Sequence, residues 1–184
     1  MTVDPITVEL LRNRIASTME EMDYHFFRSG YSTIVRESRD FSCVVVDAQG
    51  RILVAPWLFL HGAVYYYCIQ RIYEIYGKDD LAEGDVFVTN HPYEGMMPPA
   101  SDMGFIAPIF HDEKLIAFAG TIAHKADIGG TVPGSTYGSA TELYHEGLMI
   151  PPIRIHRAGE PVEDVMRLIA ANTRAPYVVM GDIS

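Results

Sequence analysis

Apolar residues recur every third or fourth position from Leu11 through Ile15, Met19 and Met22 to Phe26, the spacing of one helix face. Asp4-Pro5 ahead of them reads as an N-cap followed by proline at the first helical position, and Ser29-Gly30 as the stop, so the pattern predicts an amphipathic helix over 5–29. The period then shortens. Residues 41–46 and 51–55 are short β-branched runs on either side of Asp47-Ala48-Gln49-Gly50 and predict a hairpin. Residues 60–76, rich in aromatics and closed by Gly77, predict a second buried helix, although Tyr65-Tyr66-Tyr67 would also suit a strand. Gly84-Asp85 leads into a strand over 86–89, and 105–110 pairs with 115–122 across His111-Asp112-Glu113-Lys114. Residues 124–152 read as irregular, and Glu160-Pro161 opens a last helix over 161–172 with Val165, Leu168 and Ile169 on one face.

These elements predict an α+β fold: an N-terminal amphipathic helix, then a mostly antiparallel, barrel-like mixed sheet with long Gly/Pro-rich loops. The α+β body covers 40–123, and two loop segments, 90–102 and 124–152, are the expected site loops. A loop as long as the second one, inside a compact domain, is usually functional or docked on a partner.

Composition narrows the classes. With 184 residues, 48% hydrophobic, the chain can bury one sizeable core. Its net charge is −10 and no Lys/Arg-rich run occurs, so neither a phosphate backbone nor an anionic bilayer is an expected partner. Cys43 and Cys68 lie in apolar runs and read as reduced, buried thiols, which points to the cytoplasm. The first residues carry no basic and apolar leader, and no apolar run approaches the roughly 20 residues a membrane-spanning helix needs.

Candidate chemistry concentrates between Asn90 and Pro152, where His, Asp and Glu sit among glycines and prolines with almost no Lys or Arg. Asp102 precedes one hairpin strand and His124 follows its partner, with Asp127 three residues on, so strand pairing could bring all three to one end of the sheet. Two carboxylates and an imidazole suit Mn²⁺, Fe²⁺ or Zn²⁺, and Asp40, His91 and His145 are possible additions. The plain alternative is a satisfied His–Asp hydrogen bond, because no HExxH or CxxC spacing accompanies the set. Asp40, after Arg36-Glu37-Ser38-Arg39, is a candidate ligand or general base, or else part of a solvated turn with local ion pairs. His145, between Glu142 and Glu146, is a candidate catalytic imidazole or one turn of exposed helix. His61 and His91 stand beside Gly62 and Pro92 and read as structural. No phosphate-binding GxxxxGK[ST] loop and no GxGxxG follows a strand, and Gly134-Ser135-Thr136-Tyr137-Gly138 lacks the strand–turn–helix setting of a nucleophile elbow.

Taken together, Asp4-Pro5-Ile6-Thr7-Val8-Glu9, the run from Ser32 to Ser42, Asn90-His91-Pro92-Tyr93, Ala123-His124-Lys125-Ala126-Asp127-Ile128-Gly129-Gly130 and the run from Glu146 to Pro152 resemble the N-terminal part of the hydantoinase B/oxoprolinase family. That family includes N-methylhydantoinase B subunits, the C-terminal half of 5-oxoprolinase, caprolactamase, and subunits of acetone and acetophenone carboxylases. The resemblance implies a hydantoinase A-like ATPase partner that activates a cyclic amide or ketone with ATP. It also implies that this chain completes the hydrolysis or carboxylation around a divalent metal. Asp102 and His124 match the family's metal-binding aspartate and later histidine, Asp127 and Asp40 match acidic positions nearby, and Asp40 and His145 are the expected catalytic groups. An amidohydrolase subunit is the leading expectation; a ketone carboxylase subunit, or an assembly subunit without a metal site, are the alternatives.

The chain departs from the family in two places. Where the family carries Gly-Gly-Thr-His-x-x-Asp, it reads Gly95-Met96-Met97-Pro98-Pro99-Ala100-Ser101-Asp102, with one extra residue and no histidine. His91 or His145 is then the expected substitute ligand, and Met96 and Met97 suggest an apolar substrate wall. The other departure is length: the family continues into a glycine-rich C-terminal region, so the chain is expected to join the remaining part of a B-type subunit.

Overall fold

The computed structural model describes residues 4–54, 61–97 and 99–183. Helix α1 covers Pro5–Ser29, and the Asp4 carboxylate accepts from the Ile6 and Thr7 amides while Pro5 occupies the first turn. The helix forms where the sequence places it, but it buries less than its length suggests. Ile15, Met19, Met22 and Phe26 pack on the sheet, whereas Ile6, Leu10 and Leu11 stay exposed.

Six strands form one sheet: β1 (Phe41–Asp47), β2 (Val86–Thr89), β3 (Asp102–His111), β4 (Lys114–His124), β5 (Ile153–Arg157) and β6 (Glu160–Pro161), in the order β1-β4-β3-β2-β5-β6. Every pairing is antiparallel. Because β1 and β6 stand at opposite ends of the order and do not pair with each other, the sheet is open among the described residues and the expected barrel does not form. The β3–β4 hairpin matches its pattern, pairing through ten positions from Asp102↔His124 to His111↔Lys114.

Two expected elements differ. Residues 51–54 make only a short hairpin arm: β4 takes the full ladder on one edge of β1, and the other edge keeps one bridge, Val46↔Ile52, with the Asp47 amide donating to the Arg51 carbonyl and the Leu53 amide to the Val45 carbonyl. Asp47 turns the chain there by accepting from the Gln49 and Arg51 amides, and residue 55 lies outside the described residues. The last helix begins two residues later than expected, because Pro161 pairs with His156 in β6. Helix α3 is Glu163–Ala171, and α4 is Pro176–Gly181.

Strand alternation sorts the interior into two faces. On one, Val44, Val46, Phe87, Ile106, Phe118 and Ile122 pack against Tyr65, Cys68, Ile69 and Ile72 of α2 (Gly62–Tyr76). On the other, Phe41, Cys43 and Val45 meet α1, while Val88, Met103 and Ile155 meet Ile169 of α3 and Val179 of α4. Tyr65 lies flat on the sheet because Gly120 has no side chain: a Cβ there would stand 2.6 Å from the Tyr65 ring. Met97, read from sequence as a substrate wall, is fully buried in the α2-side core over Gly104.

Candidate functional site

Cross-strand register builds the centre of the site. Asp102 opens β3 opposite His124, the last residue of β4, so period-two alternation sends both side chains to the α2 face. His124 Nδ1 lies 2.8 Å from Asp102 Oδ1, and Ser101 Oγ is 3.4 Å from the same nitrogen. The other Asp102 oxygen, Oδ2, is 3.2 Å from Nε2 of His61. One carboxylate thus bridges two imidazoles, and all three side chains are almost wholly enclosed.

His61 reaches this position from the residue that precedes α2. Its Nδ1 is 3.3 Å from Ser42 Oγ, which in turn is 2.9 Å from the Tyr65 hydroxyl. A chain of polar groups therefore runs from β1 through α2 to β3 and β4. Sequence reading took His61 as structural; the signal available was a single imidazole before a helix, with nothing in spacing to link it to Asp102 some 40 positions on.

Asp40 joins from the third side. A one-turn π-helix, Ile34–Ser38, and a left-handed Arg39 (φ 52°) turn the chain into β1. The Arg39 guanidinium lies over the Phe27 ring at 4.3 Å. The Asp40 carbonyl accepts from the His124 amide at 3.1 Å, and its carboxylate stands 3.9 Å from His124 Nδ1. At 47% side-chain exposure it is the most open member of the group.

Electrostatics follow the hydrogen bonds. Burial alone would push the Asp102 carboxyl up, but the bonds from His124 and then His61 outweigh it and hold it below its ordinary range. The bond to Asp102 raises His124 above an ordinary imidazole, against the opposing effect of burial. The imidazolium form of His124 is thus favoured beside an ionised Asp102.

The remaining expected residues lie elsewhere. Asp127 is a loop anchor: its carboxylate accepts from the Gly129, Gly134 and Arg174 amides and from the Arg174 guanidinium. His145 sits on the 3₁₀ turn Leu143–Glu146, with Nε2 3.2 Å from Glu142 and Nδ1 accepting from the Thr141 amide. His91 caps its own turn, its Nδ1 accepting from the Tyr93 and Glu94 amides. Asn90, which the site-loop reading did not single out, ties the loops together. Fully buried, it donates to the Ala100 and Leu148 carbonyls and accepts from the Ile150 amide.

The donor types at Asp102, His124 and His61 suit a borderline divalent ion. Here the Asp102 oxygens are hydrogen-bonded to His124 Nδ1 and His61 Nε2, and the Asp127 carboxylate is bonded within its own loop. Among the described residues no three His, Cys, Asp or Glu side chains are grouped to hold a metal. What the geometry offers is a buried acid–imidazole pair with a second imidazole behind it, open toward Asp40.

The His–Asp–His centre thus sits at one end of the β3–β4 hairpin of an open antiparallel sheet. The family profile described as Hydantoinase B/oxoprolinase matches residues 4–184, and the chain belongs to this family. The B-type subunit of a putative D-/L-hydantoinase from Pseudomonas sp. (strain NS671) is 36% identical over 98% of this chain and 31% of its own length. Among solved structures, the ATP-dependent caprolactamase of Pseudomonas jessenii superposes with a TM-score of 0.88 at 28% identity, over the whole chain and 31% of its counterpart. Acetone carboxylase in its nucleotide-free structure gives a TM-score of 0.83 at 21% identity over 97% of the chain, a likeness of fold. The chain spans about a third of the length of the first two and 24% of the acetone carboxylase chain. No helix among the described residues is long and apolar enough to cross a membrane.

Proposed function

We propose that this chain provides the acid–base centre of an ATP-dependent amidohydrolase of the hydantoinase/oxoprolinase type. In this reading a hydantoinase A-like partner uses ATP to activate a cyclic amide. The observation that carries it is the bridging of Asp102 between His61 and His124 with Asp40 at the open side. It is supported by family membership and by relatives named as hydantoinase and caprolactamase subunits.

Each group has a role set by its surroundings. Asp40, the most exposed, takes the proton from the attacking water. His124, kept protonated by Asp102, delivers a proton to the departing ring nitrogen, so that C–N cleavage leaves a neutral amine. Asp102 orients the imidazole and stabilises its charge, and His61 holds Asp102 from behind, itself fixed by Ser42 and Tyr65. No step in this scheme passes through an ion.

The test is hydrolysis of cyclic amides by the complete complex. ATP-dependent ring opening that falls by about 10²–10⁴-fold in His124→Ala, with KM little changed, is the expected result. Product that incorporates bicarbonate instead of water would assign the complex to ketone carboxylation. Elemental analysis of the same preparation decides the metal question separately. Stoichiometric manganese, iron or zinc that disappears in His124→Ala would put an ion on Asp102 and His124 and replace the ion-free scheme.

A further inference from the structure

Beside the end of α1 and the π-helical turn that leads into β1 lies a groove of about 330 Å³ that the proposed reaction does not use. Phe27 and Arg28 of α1 line it together with Tyr31, Thr33, Arg36 and Glu37. Its two arginines are unpaired: neither Arg28 nor Arg36 makes a side-chain hydrogen bond or an ion pair among the described residues. Elsewhere in this acidic chain guanidiniums meet carboxylates, Arg51 with Asp47, Arg71 with Glu74 and Glu94, Arg154 with Asp80 and Asp85, and Arg174 with Asp127. Glu37 lines the same groove and follows Arg36 in the chain, yet it pairs with neither arginine.

The backbone brings these side chains together. Gly30 ends α1, and the stem of Arg36 lies over it: an added Cβ would stand 3.4 Å from Arg36 Cγ and 2.5 Å from Val35 Cγ1. Arg36 is thereby held against the helix end that carries Arg28. The left-handed Arg39 puts a third guanidinium 4.3 Å from the centroid of the Phe27 ring, at the groove's own wall, and it too has no ion pair among the described residues. Three guanidiniums thus stand against the single carboxylate of Glu37. The C-terminus of α1 offsets only about half a charge of the surplus.

We propose that this groove binds a phosphoryl oxyanion, as inorganic phosphate or as the ester of a small molecule. The surplus of positive charge fits a dianion better than a monoanion. Guanidinium forks from more than one residue suit the tetrahedral oxygens of phosphate, whereas a flat carboxylate is satisfied by one fork in its plane. Thr33 adds a donor, because its hydroxyl makes no capping bond at the start of the π-helical turn. The volume is in the range of small-molecule sites, and the Phe27 and Tyr31 rings give apolar surface to the body of an ester. Asp102 and His124 take no part, so the assignment stands apart from the amidohydrolase reading.

Phenyl phosphate, inorganic phosphate and benzoate form the test set, each titrated by NMR or calorimetry into the purified protein with any subunits that copurify. Saturable binding of the phosphates is expected, with benzoate about tenfold or more weaker. Equal affinity for the two phosphates assigns the site to free phosphate, and tighter phenyl phosphate assigns it to an ester. Arg28→Gln and Arg36→Gln should each weaken binding about tenfold, and Glu37→Gln should tighten it; all three residues are exposed, so the thermal melt should stay in place. Arg157→Gln removes an exposed, unpaired arginine at the end of β5 and should leave the affinity unchanged. The site is overturned if neither phosphate binds the folded protein saturably, if benzoate binds as tightly, or if Arg36→Gln loses no more affinity than Arg157→Gln.

Discussion

Asp102 and His124 set the pH behaviour of the site, and the signs follow from their opposite shifts. His124 is raised, so its contribution is fully present below an ordinary imidazole value of about 6.5 and is lost as pH rises through the higher folded value. Asp102 is lowered, so its contribution is present above about 3.9 and is lost as pH falls through the lower folded value. Urea unfolding across pH should therefore show stability falling on both flanks. Asp102→Ala should flatten both and cost about 1–3 kcal/mol at neutral pH, since it leaves two buried imidazoles without their acceptor. Proton NMR of His124 in that variant should show its pKa moving down. Lys125 shows the reverse case. Burial lowers its ammonium to about 8, so the charged form costs stability at neutral pH, and the cost is relieved as pH rises from there toward the ordinary lysine value. Lys125→Met removes that cost but leaves the buried Asp182 carboxylate without its counter-charge and the Asp182 carbonyl without its donor, so it is expected to destabilise the protein by about 3 kcal/mol at pH 7, read from urea midpoints.

At the level of elements, the sequence was legible where one periodic pattern governed one element. The α1 stripe, the β3–β4 hairpin and the aromatic helix α2 all lie where alternation and capping put them. The errors came where a partner decided the outcome. Residues 51–54 have strand-like composition and turn back on β1 as expected, but the pairing stops at one bridge and two backbone bonds, while the long ladder of β1 goes to β4, a partner that no local window contains. Pro161 looks like a helix opener, but β5 recruits it into a two-residue strand before α3 starts. The site divides in the same way. Asp102 and His124 could be placed together because hairpin register is readable, whereas His61 arrives by tertiary packing of α2 and Asp127 is taken by Arg174, a residue no local spacing connects to it. Asn90 was legible only as part of a motif, and its role is to fasten the 148–150 loop to the end of β2. Asn90→Ala removes three hydrogen bonds in a fully buried setting and should cost on the order of 3 kcal/mol. Amide exchange at Leu148 and Ile150 should speed up by more than at strand β4, because the local latch and not the whole sheet is released.

The whole molecule is a sheet with chemistry on both faces and one residue between them. Asp102 belongs to the α2 face and Asp182 to the α1 and α4 face, and Lys125 follows directly on His124 while its ammonium reaches Asp182. Both carboxylates stabilise the Lys125 charge electrostatically, Asp182 more than Asp102. Substitutions on opposite faces with no shared partner normally add to within about 0.5 kcal/mol. Asp102→Asn and Asp182→Asn share Lys125, and each leaves its ammonium less compensated, so the second substitution should act on a buried charge already weakened by the first. A double-mutant cycle of unfolding free energies should therefore show a coupling above about 0.5 kcal/mol in the native background. The same cycle built on Lys125→Met should be additive, because the charge that joins the faces is gone. Persistence of the coupling without Lys125 would mean that the two faces communicate through movement of the β3–β4 hairpin itself. Its disappearance would make Lys125 the electrostatic link between the two faces, measurable as a shift of the His124 titration in Asp182→Asn that is absent on the Lys125→Met background.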